Sequence, residues 1–123
     1  MYKLLSTTAD VDGLSTKDLF NCLLGLNENE IDIFKHVLDH GGETCNVIGA
    51  ELGKSRSTVQ RAMQKLLNLR LIEREQEFPE QKQRGYVYVY HARPREHLRR
   101  YLFSLVDEAK NRMVAILERE FSL

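Results

Sequence analysis

The sequence has no tryptophan, two cysteines, two prolines and no excess charge of either sign, with 18 Lys and Arg against 18 Asp and Glu. Each shortage excludes something. Cys22 and Cys45 are far apart and outside any C-x-x-C spacing, so neither a disulfide framework nor a cysteine zinc site is predicted, and both thiols read as buried and inert. With prolines only at 79 and 94, there is no proline-rich linker to divide the chain. No apolar run approaches the ~20 residues of a membrane span, and the polar N-terminus lacks the apolar stretch of a signal peptide, which predicts a cytoplasmic chain with no membrane partner. What remains is ordinary for one globular domain: 123 residues, 42% apolar and 29% charged.

The neutral total hides an asymmetry. Residues 1–50 hold three Lys or Arg against eight Asp or Glu, whereas 54–74 hold six (Lys54, Arg56, Arg61, Lys65, Arg70, Arg74) against Glu73 alone. Residues 82–100 again hold six against Glu96 alone. Basic residues gathered in two segments suit a polyanion, even on a neutral chain. Two solvated faces paired with acidic neighbours would look the same by charge alone.

Periodicity orders the chain as four helices, a hairpin and a long helix. The first dozen or so residues, 1–14, read as loosely held. Ser15 with Asp18 starts a helix carrying Leu19, Phe20, Leu23 and Leu24. A second begins at Asn27 or Asn29, carries Ile31, Phe34, Val37 and Leu38, and closes at Gly41–Gly42. A third follows Thr44, with Ile48 and Leu52 inward and Gly53 as its stop. Ser55 caps the fourth, in which Val59, Ala62, Met63, Leu66 and Leu67 form one stripe. The period then changes to alternation: "LIEREQEF" reads as a half-buried strand, "PEQKQRG" as a loop and "YVYVYHA" as a second strand. Pro94 suits the start of the last helix, which runs to about Phe121.

Two helices joined by a tight turn at Gly53–Lys54 and followed at once by a hairpin make a helix-turn-helix with a wing. The fold class is therefore mainly α with a small β-hairpin, residues 15–93 forming the winged unit and 94–123 a C-terminal helix. Between Gly53 and Arg70 there is no acid. A solvated helix face commonly mixes Glu with Lys for pairing four apart; this one carries Arg56, Ser57, Gln60, Arg61 and Gln64 opposite its apolar stripe. Small hydroxyls at Ser55, Ser57 and Thr58 let a phosphate approach the positive end of the helix, with Lys54 and Arg56 as counter-charge. Gln60, Arg61 and Gln64 are long enough to pair with base edges in a major groove.

The runs "LNENEIDIFKHVL", "TCNVIGAELGKSRSTVQRAMQKLLNLRLIERE" and "RGYVYVYHA" together resemble the winged helix-turn-helix of archaeal TrmB-like regulators, related in shape to MarR-type regulators. The resemblance covers residues 26–92. It implies dimeric, sequence-specific binding of double-stranded DNA and control of transcription. By position it puts the recognition helix at 55–69, with Arg56, Ser57, Thr58, Gln60, Arg61 and Gln64 reading DNA and Lys54, Ser55 and Lys65 beside them. The wing, 78–85, falls on Lys82 and Arg84, along the backbone or the minor groove. Full-length TrmB proteins add a sugar-binding domain after the wing, whereas a single helix follows it here, so no small-molecule effector is expected. Such sequences usually read Gly-Leu after the recognition helix, where this one has Arg70–Leu71. Val47 stands where they tend to have a polar residue.

Other candidates carry less. His36 and His40 are four apart on one helix, the right spacing for two metal ligands, but no third ligand is evident and H-E-x-x-H is not formed. With His91 and His97 they read as surface or helix-end histidines, so no metal and no cofactor is predicted. Tyr86, Tyr88 and Tyr90 share one strand face and could stack on bases, though packing against the long helix is the simpler reading. No nucleophile–base pair or phosphate-binding glycine loop points to an enzyme.

The long helix carries Leu98, Leu102, Leu105, Val106, Ala109, Met113, Ile116 and Leu117 as one stripe. At ~1.5 Å per residue it is roughly 40 Å long, more than so small a domain can cover. A second copy of the chain is the economical partner, since most oligomers are two-fold symmetric. The sequence thus predicts a homodimeric DNA-binding regulator. The alternative is a winged-helix protein-interaction module of a transcription or other nucleic-acid assembly, which the acidic first fifty residues keep open.

Overall fold

A computed structural model describes residues 13–78, 85 and 87–122. The expected loose segment therefore lies almost wholly outside the described residues, as do Lys82, Arg84 and Tyr86. Five helices and two strands follow in order: α1 (Thr16–Leu24), α2 (Glu28–Asp39), α3 (Cys45–Leu52), α4 (Arg56–Asn68), β1 (Ile72–Glu77), β2 (Val87–Ala92) and α5 (Arg95–Phe121). This is a winged helix-turn-helix with a long C-terminal helix.

The helix starts follow from their caps. Ser15 and Asp18 form a full capping box on α1, and Asn27 with Glu30 forms another on α2. Thr44 accepts from the Val47 N–H at α3, and Ser55 from that of Thr58 at α4. Gly25 and Gly53 leave α1 and α3 in the left-handed conformation that glycine adopts without strain.

The exit of α4 has the same geometry without the glycine. Arg70 holds a φ of 62°. Its N–H donates to the Leu67 carbonyl at 3.0 Å and the Leu71 N–H donates to the Leu66 carbonyl at 3.0 Å. This is a Schellman ending, closed by the fully buried Leu66 and Leu71. An L-residue in that conformation carries roughly 1–2 kcal/mol of strain.

The core is built around α2. Ile31, Ile33, Phe34 and Val37 of this helix are all buried, with Leu26 before it. The sequence stripe missed Ile33 because α2 is covered on more than one side; Leu38, counted in the stripe, lies only half-buried in a groove beside α5. Ile48 of α3, Val59, Met63 and Leu66 of α4, and Leu71 complete the centre. Burying each such side chain contributes about 1.5–3 kcal/mol.

The strands pair antiparallel from Ile72 opposite Ala92 to Glu77 opposite Val87. A half-buried β1 is not what forms. Only Ile72 is buried, because a two-stranded ribbon carries the rest of the strand beyond the helical core. The inner end of β2 is anchored instead: Gly42 N–H donates to the Tyr90 carbonyl at 2.9 Å, and Tyr90 N–H to the Glu43 carbonyl at 3.0 Å.

Where α3 meets the turn, the backbones come very close. A Cβ on Gly49 would lie 2.7 Å from the carbonyl oxygen of Lys54. Only a residue without one fits there.

Candidate nucleic-acid interface

α4 separates its residues cleanly. Val59, Ala62, Met63 and Leu66 are buried against the chain's own core, while Arg56, Ser57, Gln60, Arg61 and Gln64 are exposed on the other side. Neither Arg56 nor Arg61 makes an ion pair among the described residues. Gln64 donates to Asn68 Oδ1 at 3.1 Å, one turn along the same face.

The hydroxyls at the start of α4 serve the helix first. Ser55 Oγ accepts from the Thr58 N–H at 3.2 Å, donates to Thr58 Oγ1 at 2.8 Å and lies 3.3 Å from Ser57 Oγ. The other first-turn N–H groups have no acceptor within the helix, so this end keeps its positive character.

The two lysines behave differently from the arginines. Lys54 Nζ donates to Asn29 Oδ1 at the start of α2. Lys65 Nζ donates to the Gly25 carbonyl at 2.7 Å and to Glu30 Oε1 at 3.0 Å. Lys65 is thereby drawn off the outward face and ties α4 to the α1–α2 junction. Nothing in helical spacing signals this, since its carbonyl partner is 40 residues away.

Between α4 and β2 runs a groove of about 470 Å³, lined by Thr44, Asn46, Arg56, Gln60, Val87 and Tyr88, with Cys45 and Tyr90 at its floor. Tyr88 and Tyr90 thus line a groove that they share with residues of α3 and α4. Tyr88 stacks under the Arg74 guanidinium, 4.1 Å from ring centre to carbon. Tyr90 is buried, and burial pushes its hydroxyl above the usual range; a hydrogen bond with Cys45 adds to this and Arg74 opposes it. Cys45 is buried as expected, and Cys22 partly so. Val47 is exposed on α3.

α5 has one buried residue, Leu98. Leu102 and Leu105 pack partly against the same core, so the N-terminal third of the stripe is largely spent within its own chain. Ala109 is half-buried, and Val106, Met113, Ile116 and Leu117 are exposed, as are Val114 and Phe121, which the stripe omitted. Among the described residues no helix is long and apolar enough to cross a membrane.

The histidines are not alike. His36 is mostly buried, its ring stacked on His40 with centroids 4.5 Å apart. Its Nε2 meets Glu43 Oε1 at 2.7 Å and Glu51 Oε2 at 3.7 Å, two partners that the sequence did not suggest. His91 faces Glu75 Oε1 at 2.9 Å, and His97 lies exposed at the start of α5.

Comparison with known proteins agrees with this geometry. The profile of the family described as "Sugar-specific transcriptional regulator TrmB" matches residues 21–107. "Uncharacterized protein MJ1503" of Methanocaldococcus jannaschii is 34% identical over 95 residues, which cover 77% of this chain and 70% of that protein. Among solved structures, "Possible transcriptional regulator from Methanosarcina mazei Go1" is 24% identical with a TM-score of 0.73, over 86% of this chain and 88% of that one. A mutant of S. aureus MepR solved bound to an oligodeoxyribonucleotide is 18% identical with a TM-score of 0.54, over 94% of this chain and 83% of that one. Its helix-turn-helix, its wing strands and the match over most of its length make this chain a member of the TrmB family of transcriptional regulators.

Proposed function

We propose that the chain is a homodimeric regulator that binds duplex DNA, with α4 in the major groove and the 78–85 wing along the backbone or minor groove. The observation that carries this is the outward face of α4, where Arg56 and Arg61 stand exposed, without an ion pair among the described residues, beside Gln60, Gln64 and small hydroxyls, with no acid on the helix. Unbalanced positive charge on a rigid helix held by a full apolar stripe suits a polyanion. The oligonucleotide bound to the structurally similar MepR mutant favours DNA as that polyanion.

Arg61, Gln60 and Gln64 lie past the first turn and are assigned to base edges. Arg56, Ser57, Thr58 and the N–H groups about Ser55 are assigned to phosphate. Lys54 joins them by releasing Asn29, and Lys82 and Arg84 are given the wing role by their place in the sequence. Lys65 is left to its structural tie. Residues 15–93 then form the DNA-binding unit and 94–123 the dimerisation helix, with Val106, Met113, Ile116 and Leu117 facing the second copy. A dimer of this kind reads half-sites centred about one helical turn apart, or a multiple of it.

The test is affinity for a duplex selected from genomic fragments and for a scrambled duplex, over a salt series. Binding weakens steeply with salt. Arg61→Ala costs ~1–3 kcal/mol on the selected duplex and relaxes preference at one position per half-site. Lys82→Ala weakens both duplexes alike and lowers the salt slope by about one. Equal losses on both duplexes for Arg61→Ala would make α4 a phosphate grip rather than a reader. Absence of any salt-dependent duplex binding would favour the protein-interaction module.

A further inference from the structure

Three supports of the winged unit converge on one point. His36 lies in the last turn of α2, Glu43 is the residue bridged to Tyr90 of β2, and Glu51 sits near the end of α3. His36 Nε2 and one carboxylate oxygen from each glutamate lie within 4.8 Å of one another. The imidazole is held in place, being mostly buried and stacked on His40, whose Nδ1 lies 3.3 Å from the His36 carbonyl oxygen. Glu43 is also mostly covered, whereas Glu51 is open to solvent on one side.

Both carboxylates reach the His36 ring, Glu43 from the segment before α3 and Glu51 from its last turn. A hydrogen bond with Glu43, followed by burial, pushes the Glu51 carboxyl above its usual range. Burial pushes Glu43 upward too, but its hydrogen bonds with Glu51 and His36 outweigh this and hold it below. One imidazole nitrogen and two carboxylate oxygens thus stand close enough together to be donors to a single ion.

We propose that His36, Glu43 and Glu51 bind a divalent first-row transition ion, with zinc the best match. One imidazole with two carboxylates is a nitrogen and oxygen set that such ions accept, and zinc takes these donors at about 2.0–2.2 Å. Two ligands at that distance from one ion lie roughly 3–4 Å apart. The His36–Glu51 separation of 3.7 Å already fits, and the His36–Glu43 contact of 2.7 Å needs to open by roughly 0.6 Å or more for a tetrahedral ion. The exposed side of Glu51 leaves the fourth position to water. Calcium and magnesium suit the site less, since they favour six or more oxygens over an imidazole. The ion would join α2, α3 and the β2 anchor, and so stiffen what carries α4. The site does not depend on the DNA reading.

The experiment takes the full chain, stripped with chelator, and titrates it with zinc by calorimetry and with cobalt(II) by visible absorption. One ion per chain is expected, binding in the micromolar range or tighter, with cobalt ligand-field bands and no thiolate charge-transfer band. Zinc should raise the melting temperature. Glu51→Gln and His36→Gln should each weaken binding by more than about tenfold, the loss that disturbing even an outer-shell partner can bring. Glu73→Gln, outside the cluster, should leave it unchanged. Glu51→Gln alters an exposed side chain, so circular dichroism should show it folded even if His36→Gln is not. Absence of saturable zinc binding at millimolar ion overturns the proposal, as does binding that a folded Glu51→Gln leaves intact.

Discussion

The two helices α4 and α5 divide their surfaces in opposite ways. α4 packs its apolar stripe within its own chain, Leu67 alone being only partly buried, and leaves Arg56 and Arg61 without an ion pair among the described residues. α5 pairs some of its charges, with Glu96 to Arg100 at 3.4 Å and Glu108 to Arg112 at 2.8 Å, and leaves its apolar surface beyond Leu105 largely uncovered. Leu66 of α4 is 0% exposed, while Leu117 of α5 is 56% exposed. What each helix lacks describes its partner. On the proposed function, the first meets negative charge and the second another apolar face, most simply its own in a two-fold copy.

Shortening one leucine on each helix gives the largest contrast. Leu66→Ala should cost about 2–5 kcal/mol in denaturant unfolding, since a cavity opens in a closed core. Leu117→Ala should change the stability of the single chain by less than about 0.5 kcal/mol, and act on association instead. Equal losses in a dilute, monomeric sample would show that α5 is covered by its own chain after all.

The next contrast concerns association alone. An unpartnered charge within a desolvated interface costs several kcal/mol, about 2–7 on transfer scales. Ile116→Asp or Leu117→Asp should therefore sediment as a folded monomer where the parent chain sediments as a dimer. A parent chain that stays monomeric at tens of micromolar would remove the reason for setting the two helices against each other.

A smaller effect lies at the exit of α4. Arg70 holds the left-handed position and lies near Arg93 and His97. Arg70→Gly should relieve the strain and raise stability by about 1 kcal/mol, a shift of roughly 4 °C in melting temperature. No change would mean that the arginine side chain compensates by a contact of its own. Smallest of all, Glu108→Gln should alter stability by no more than about 0.5 kcal/mol, because an exposed pair four apart on a helix contributes little.

Much of the fold is legible because its signals are local. Ser15, Asn27 and Ser55 cap within three residues of themselves, and the switch to alternating strands follows from residue types alone. Arg70 stood out only through the resemblance, which puts glycine at that position; its left-handed φ of 62° comes from the structure. What periodicity cannot see is where separate elements meet. Ile33 is buried because α2 is surrounded, Lys65 is taken by a carbonyl forty residues away, and His36 gains Glu43 and Glu51 only when the segment bridged to β2 and then α3 fold back beside α2. The outward face of α4 was legible as a face, because one helix suffices to define it. Which of its cations stay free was not.

Gly49 bears on how such a chain could acquire a new target. On the proposed function, each outward residue of α4 can be exchanged without touching the core, so preference would drift one base contact at a time. Position 49 has no neutral alternative. Even a methyl group there would press on the backbone at Lys54 and tilt every outward residue of α4 together. The angle of presentation is inherited whole, while the message is editable letter by letter.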